Sequence, residues 1–304
     1  MPQADPEVGR QAPQSAPPMG DRRPTEEGSA EVSPRKAALE WPTPDGPDMI
    51  DVMEDVALQH GSDMAVFSAE ERPDLWDEAE LAFAGVWPEY NLHGDVADEY
   101  FDVLVPRFAR FQILVYDTAI GRVVARGRAI PFRWDESLDD LPAGIDAVGR
   151  RALEQDTEPT AMSALSAEVA ADQRGRGLSG VLLRAMMCVA RSSGLAPLVA
   201  PVRPTWKERY PLIPIEQYAR WRRDDGLPFD PWMRIHARLG GTVLRPEPRS
   251  MKITGTVAEW QEWTGMAFPD EGTYVFPEGL APLTVIEGLG RYWEPNVWMV
   301  HRLR

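Results

Sequence analysis

The chain has 304 residues, 43% of them hydrophobic, and carries a formal net charge of −16. This length is sufficient to bury a sizeable core, in one large domain or two small ones. The negative charge repels phosphate backbones and anionic lipids, so nucleic acids and membrane surfaces are disfavoured as partners. An acidic surface suits a cationic small molecule.

The N-terminal segment differs in composition from the rest of the chain. Residues 1–47 are rich in Pro, Ser, Gln, Glu and Arg and lack aliphatic periodicity, so ordering them would cost more conformational entropy than their burial would offset. We predict a disordered or flexible tail over residues 1–60 and one folded domain over residues 61–304. The sequence shows no signal-peptide core and no apolar run of membrane-span length, which favours a cytoplasmic protein.

The cysteine content indicates a reducing compartment. The single cysteine, Cys188, cannot form an internal disulfide, and its apolar neighbours predict a buried core thiol. No cluster of cysteines and histidines has the spacing of metal ligands, so we expect no metal site.

The first predicted elements are a strand, two helices and a hairpin. A short strand at 64–68 is followed by helical patterns at 75–86 and 96–104, and the second pattern is stopped by a proline. Two β-branched runs, 111–117 and 122–132, flank a short turn and predict an antiparallel hairpin.

The central part of the chain predicts a strand, a helix and another strand. An acidic stretch at 135–148 predicts an exposed connection, and a third strand follows at 162–170. Residues 178–189 place apolar side chains three and four apart, which is typical of a helix with one buried face. A short buried strand at 198–202 precedes an insertion rich in Trp, Tyr, Arg and Pro, residues 203–229.

The C-terminal part opens with a helix signal. Asp230 is the predicted N-cap, Pro231 occupies the first helical position, and Gly240 ends the helix. The remainder alternates short strands, such as GTVL and SMKITGTV, with turns and one short helix.

The segment GRGLSG, residues 175–180, opens the helix predicted at 178–189 and admits three interpretations. Its glycines satisfy G-x-G-x-x-G, the fingerprint of a dinucleotide-binding unit, and Arg203 lies where a partner for the 2′-phosphate of NADP is imaginable. However, residues 171–174 separate the glycines from the strand, and the chain lacks the further β-α-β units of that fold. A second interpretation is a plain strand-to-helix turn.

The third interpretation is a coenzyme A site. The segment matches R-x-x-G-x-(G/A), with Arg174, Gly177 and Ser179 at the defined positions. This motif, between a strand and an amphipathic helix, resembles the coenzyme-binding motif of the GNAT superfamily of acyl-CoA-dependent N-acyltransferases. Ser179 departs from the usual Gly or Ala but is small enough to leave room for a phosphate. The element order over roughly 63–304 is similar as well, which implies an α/β fold with a mixed, mostly antiparallel sheet flanked by helices.

The resemblance implies acetyl-CoA as co-substrate, with its pantetheine arm between two strands that splay apart, 166–170 and 198–202. Backbone N–H groups at a helix N-terminus bind phosphate charge, and glycines allow close approach. Two ordinary core strands and solvated loop arginines would predict the same sequence. The predicted coenzyme-binding residues are Val169, Ala170, Arg174, Gly175, Arg176, Gly177, Leu178, Ser179 and Gly180.

Acyl transfer to an amine needs a base for the nucleophile and a proton donor for the departing thiolate. Glu168 is the predicted base, because burial in an otherwise apolar strand would strengthen it; a solvent-facing carboxylate is the alternative. The family commonly uses a tyrosine within Y-x-K-L-G-F as the acid. The matching segment HARLGG, residues 236–241, places His236 there, as a charged imidazolium, and Tyr210 and Tyr218 are substitutes.

The insertion is the predicted acceptor side. Its acidic pair, Asp224 and Asp225, would attract a cation, and its aromatic residues would line the cofactor mouth. These aromatic residues are Trp206, Tyr210, Tyr218 and Trp221 of the insertion, with Trp232 shortly after it.

The predicted activity is transfer of an acetyl or small acyl group from acetyl-CoA to an amine of a small-molecule or protein acceptor by direct attack. Two alternatives stay open. One is a GNAT-fold protein that binds acyl-CoA without catalysis, and the other is an NADP-binding oxidoreductase.

Overall fold

The computed structural model describes residues 63–303, and the predicted tail over residues 1–60 lies outside them. A nine-stranded mixed sheet dominates this part of the chain, with helices packed against it. The fold class predicted from the sequence is therefore confirmed. The strands are β1 (Met64–Ser68), β2 (Ile113–Asp117), β3 (Arg122–Phe132), β4 (Ala161–Val169), β5 (Leu198–Val202), β6 (Thr242–Thr256), β7 (Gly272–Tyr274), β8 (Leu283–Ile286) and β9 (Leu289–His301).

The helices fill the connections between the strands. Five of them precede β5, and the fifth follows the glycine motif. The helices are α1 (Pro73–Ala82), α2 (Ala97–Phe101), α3 (Leu104–Phe108), α4 (Ile145–Glu154), α5 (Leu178–Ser192), α6 (Ile215–Tyr218), α7 (Pro231–Arg238) and α8 (Val257–Thr264).

The sheet runs in the order β1-β2-β3-β4-β5-β9-β8-β7, and β6 also pairs with β9. The pairings are antiparallel except that between β4 and β5, which is parallel. The hairpin predicted from the β-branched runs forms β2 and β3, and the strands predicted at 162–170 and 198–202 form β4 and β5.

Three sequence-based predictions of elements were wrong. Pro106 does not stop a helix, because it lies in the first turn of α3, where its missing N–H costs no intrahelical bond. The acidic connection predicted at 135–148 contains the start of α4. The separate strands GTVL and SMKITGTV are parts of one strand, β6, whose pairing with β9 is irregular between Glu247 and Met251.

Helices cover both faces of β3 and β4, which positions the site. On one face α5 packs closely over β3 at Gly127, where a Cβ atom would lie 2.1 Å from Cε of Met186. On the opposite face Arg126 of β3 lies over the rings of Trp76 and Phe83, which belong to α1 and its C-terminal end. The sheet therefore separates an α5 face from an α1–α2 face.

Candidate active site

A gap opens in the sheet between β4 and β5. Within the described residues, these strands pair only at Met162 with Leu198 and at Ser163 with Val199, and they diverge afterwards. A cavity of about 860 Å³ occupies the gap, lined by residues 164–169 of β4 and by the end of β5. This divergence matches the splayed strands that the sequence resemblance implies.

The cavity is open to helices on both faces of the sheet. Leu183 and Met186 line it from α5, whereas Trp76 and Phe101 line it from α1 and α2. A ligand in the gap would thus contact side chains from both faces of the sheet.

The N-terminus of α5 offers backbone donors beside the cavity. Gly175 and Gly177 have φ angles of 85° and 77°, a left-handed conformation that favours glycine. Gly180 and Val181 already donate to the carbonyl of Gly177, whereas the N–H groups of the first two helical residues, 178 and 179, have no intrahelical acceptor. The positive end of the helix dipole adds to their attraction for phosphate.

Arg174 and Ser179 line the cavity from this end. Arg174 is exposed, and its guanidinium makes no ion pair with another residue in the described part of the chain. The loop and the gap together fit a phosphate-bearing ligand with an extended arm, as coenzyme A is.

Two of the predicted coenzyme-binding residues instead contact protein groups. Nη1 of Arg176 lies 2.9 Å from Oδ2 of the buried Asp117, at the end of β2. Ala170 is buried in a small apolar cluster, and its N–H donates to the carbonyl of Val124. Val169, also among the predicted coenzyme-binding residues, lines the cavity.

Glu168 is buried, lines the cavity and forms ion pairs with two arginines of β3. Nε of Arg126 donates to Oε2 at 2.5 Å, and Nη1 of Arg128 donates to Oε1 at 2.7 Å. The hydroxyl of Ser166 also donates to Oε1, at 3.2 Å. Glu80 of α1 bridges the outer sides of the same two guanidinium groups, at 2.8 and 3.0 Å.

The burial expected for Glu168 is confirmed, but the apolar surroundings expected for it are wrong. Two guanidinium groups, those of Arg126 and Arg128, contact the carboxylate. A carboxylate has about four acceptor positions, and three are used here by Arg126, Arg128 and Ser166. One acceptor position has no partner among these three groups.

His236 of α7 also lines the cavity and is 1% exposed. Its Nδ1 lies 3.0 Å from Nε2 of His301, the last residue of β9. Burial, with a smaller contribution from His301, lowers the pKa of His236 to about 3. The ring is therefore neutral at physiological pH, and the charged imidazolium expected from the sequence is not its resting form.

Of the five aromatic residues predicted to line the cofactor mouth, Trp232 lines the cavity, whereas Trp206, Tyr210, Tyr218 and Trp221 do not. Tyr210 does not line the cavity; its ring packs against Trp221 at 5.0 Å between centroids, within a separate apolar cluster. Tyr218 is buried in the same cluster and donates to Oδ2 of Asp230 at 2.9 Å. The pair at 224 and 225 is exposed on a turn.

The α1–α2 face contributes acidic and aromatic side chains to the cavity lining. Its lining includes two exposed carboxylates one helical turn apart, Asp98 and Asp102, together with the aromatic rings of Trp87 and Phe101. This surface was not predicted from the sequence, because the placement of the helices across the sheet decides which of their side chains line the cavity. The acidic composition of DVADEYFD was the available signal.

Arg203, proposed above as a partner for a 2′-phosphate, is already neutralised. Its Nε donates to the buried carboxylate of Glu294 on β9, and its Nη2 donates to the hydroxyl of Tyr90 at 2.9 Å. The hydroxyl of Tyr292 donates to the other oxygen of Glu294. This network closes the cavity at the end of β5 and argues against an NADP site.

Asp146 gives the packing of α2 against α4 a pH dependence. Burial raises its pKa to about 6, although the N–H of Lys252 and the hydroxyl of Tyr100 donate to it. The unfolded carboxyl titrates near 3.8, so the contribution of Asp146 to stability is complete below that pH and is lost as the pH rises through about 6.

We therefore expect the free energy of unfolding of the wild type, minus that of Asp146→Asn, to fall between about pH 4 and pH 7. Urea denaturation of both proteins across this range measures the difference. A difference independent of pH would contradict the assignment.

Over residues 63–303, no helix is long and apolar enough to cross a membrane. The same residues hold no group of three or more His, Cys, Asp or Glu side chains placed to bind a metal ion.

Comparisons with known proteins define the family. No protein-family model matches the chain. An arginine N-acetyltransferase of Aspergillus versicolor is 30% identical over 269 residues, which cover 77% of this chain and 92% of the relative.

Two solved structures are similar at lower identity. The GphF GNAT-like decarboxylase in complex with isobutyryl-CoA superposes with a TM-score of 0.52 at 16% identity, covering 79% of this chain and 99% of the other. The loading GNATL domain of CurA from Lyngbya majuscula gives a TM-score of 0.49 at 16% identity, covering 79% and 98%. With an acetyltransferase related over most of both chains and a GNAT-like structure sharing its fold, the chain belongs to the GNAT superfamily of N-acyltransferases.

Proposed function

We propose that this enzyme transfers an acetyl or small acyl group from acetyl-CoA to a nitrogen of a cationic small molecule that bears an amine or a guanidine. The observation that carries the proposal is the cavity between the diverging strands, with the N-terminus of α5 on one face and carboxylates on the other. The activity named for the Aspergillus relative supports an acceptor of the arginine type.

The coenzyme would be held by the loop before α5 and by the strand edges. Backbone N–H groups between Gly175 and Ser179 would bind its phosphates, with Arg174 adding charge. The β4 edge beyond Ser163 lacks a strand partner in the described region, so its backbone groups are available to pantetheine amides. When bound, the coenzyme supplies an activated acyl thioester.

The acceptor would enter from the α1–α2 face. Asp98 and Asp102 attract a cation, and Trp87 and Phe101 offer aromatic surface beside them. This assignment replaces the insertion as the acceptor side and is consistent with the net charge of −16.

Two protons must leave a cationic nitrogen when it becomes an amide. Glu168, which lines the cavity, would take the first and pass it to solvent. His236, neutral at the cavity wall, would take the second and return it to the sulfur as the thiol leaves. Direct attack suffices, because Cys188 lies in the middle of α5 and does not line the cavity.

The test is an acetylation assay with the full chain, acetyl-CoA and a panel of acceptors. Arginine, agmatine and lysine are the cationic members, and citrulline is the matched neutral control for arginine. We expect thiol release and addition of one acetyl group, measured by mass spectrometry, with cationic acceptors only.

Two outcomes would contradict the proposal. Calorimetric binding of acetyl-CoA without turnover of any acceptor would favour the non-catalytic binding protein. If citrulline were acetylated as fast as arginine is, Asp98 and Asp102 would have no role in selecting a cationic acceptor.

A further inference from the structure

We propose that His301 is a positioning residue, which fixes His236 in the tautomer that carries its proton on Nδ1 and leaves a lone pair on Nε2 facing the cavity. This inference rests on the proposed function, since it gives His236 the form needed to relay a proton from the acceptor nitrogen to the leaving sulfur. It starts from a contact between two buried rings.

The contact is built into the fold. His236 lies on α7 and His301 ends β9, and their side chains are 1% and 2% exposed. Gly241 makes room for them, because a Cβ atom there would lie 2.7 Å from Cε1 of His301 and 2.8 Å from the carbonyl of His236. The ring of Trp232 packs against the ring of His236, with 4.5 Å between the two centroids, and restricts its rotation.

A single proton occupies the line between the two rings. Nδ1 of His236 and Nε2 of His301 are 3.0 Å apart, and burial lowers the pKa of both rings. Two neutral imidazoles at this distance form a hydrogen bond only if one nitrogen donates and the other accepts. The position of that proton decides which nitrogen of His236 is left for the cavity.

The proposed relay sets where this proton lies. A base toward the cavity needs an unprotonated Nε2 on His236, the ring nitrogen that has no protein partner, so the proton of the contact is assigned to Nδ1 of His236 and the proton of His301 to its own Nδ1. A proton on Nδ1 of His301 leaves its Nε2 as an acceptor. His236 is then the donor through Nδ1, and its Nε2 carries the lone pair.

Nε2 of His236 has no protein partner. It is buried, and no group within residues 63–303 hydrogen-bonds to it. Unpaired buried polar atoms are rare in native proteins and call for an explanation such as a ligand. Because His236 lines the cavity, a ligand there is positioned to supply the missing partner.

The proton balance is complete with this tautomer. Nε2 takes a proton as the N–H bond of the attacking nitrogen breaks and the new N–C bond forms. It then gives the same proton to sulfur as the C–S bond breaks, and His236 ends neutral. While the ring is protonated, Nε2 of His301 accepts from Nδ1 and holds the ring in its orientation.

The test measures the tautomer directly by nitrogen NMR of the full chain labelled at histidine. The sequence contains four histidines, so single variants assign the signals. We expect a protonated Nδ1 and an unprotonated Nε2 for His236 in the wild type. His301→Gln, whose side-chain oxygen accepts a hydrogen bond, should keep this form, and His301→Leu should shift the proton toward Nε2.

Kinetics supplies the second readout. His301→Leu should lower kcat about 10- to 100-fold, as loss of an orienting partner typically does, while the affinity for acetyl-CoA stays unchanged. His301→Gln should restore most of that loss. A proton on Nε2 in the wild type, or an unchanged kcat in His301→Leu, would overturn the inference. If no acceptor is turned over, the proposed function fails, and the NMR result alone decides whether His301 sets the tautomer.

Discussion

Replacing Ser179 with glutamate is expected to weaken acetyl-CoA binding by about 100-fold, or roughly 2–3 kcal/mol. Ser179 lines the cavity in the first turn of α5, beside the backbone N–H groups assigned to the coenzyme phosphates. A carboxylate there would occupy the phosphate position and repel the phosphate charge. Calorimetric titration of the purified full chain measures the effect.

Two features make this variant informative. A negative charge in the first turn of a helix interacts favourably with the helix dipole, so thermal stability should be maintained or raised while binding is lost. Ser179→Gln, which has the same shape without the charge, is the matched control and should bind within about tenfold of the wild type. Equal affinities of the two variants would place the phosphates elsewhere.

Replacing Glu168 with glutamine is expected to reduce the free energy of unfolding by about 3 kcal/mol. The carboxylate is fully buried and neutralises Arg126 and Arg128, whose side chains are 6% and 17% exposed. Removing its charge leaves buried guanidinium groups with only the outer carboxylate of Glu80. Urea denaturation at neutral pH measures the loss.

Activity separates the structural from the chemical role of Glu168. In conditions where Glu168→Gln is folded, kcat should fall at least about 100-fold if the carboxylate takes the first proton. Glu80→Gln changes a carboxylate that touches the same arginines but is 51% exposed, so it should cost about 1 kcal/mol or less and leave kcat within a fewfold. Similar kcat values for Glu168→Gln and Glu80→Gln would show that Glu168 does not take the first proton.

Several features of the site follow from local sequence. The glycines of GRGLSG and the apolar spacing from Leu178 onward define a loop and a helix, because left-handed glycines and helix periodicity are local properties. The largely apolar run at 162–170 likewise predicts β4. These elements do not depend on what packs against them.

Long-range pairing was not visible in the sequence. Arg126 and Arg128 lie in a β-branched run that predicts only a strand, yet the register of β3 on β4 places both guanidinium groups on Glu168. His301 lies at the end of the chain, and only the return of β9 beside β5 brings it to His236. Contacts between residues far apart in sequence carry no local periodicity.

The sequence by itself therefore determined the family, the loop and helix at GRGLSG and the order of most elements, since each depends on local spacing and residue type. Only the tertiary structure decided which residues line the cavity, the ionic partners of Glu168 and the burial of His236. The physical reason is that burial, charge pairing and cavity lining are set by neighbours across the sheet. Asp98 and Asp102 and the aromatic insertion both offer groups that can bind a cation. Packing places the two carboxylates at the cavity and the rings of Tyr210, Tyr218 and Trp221 in a core.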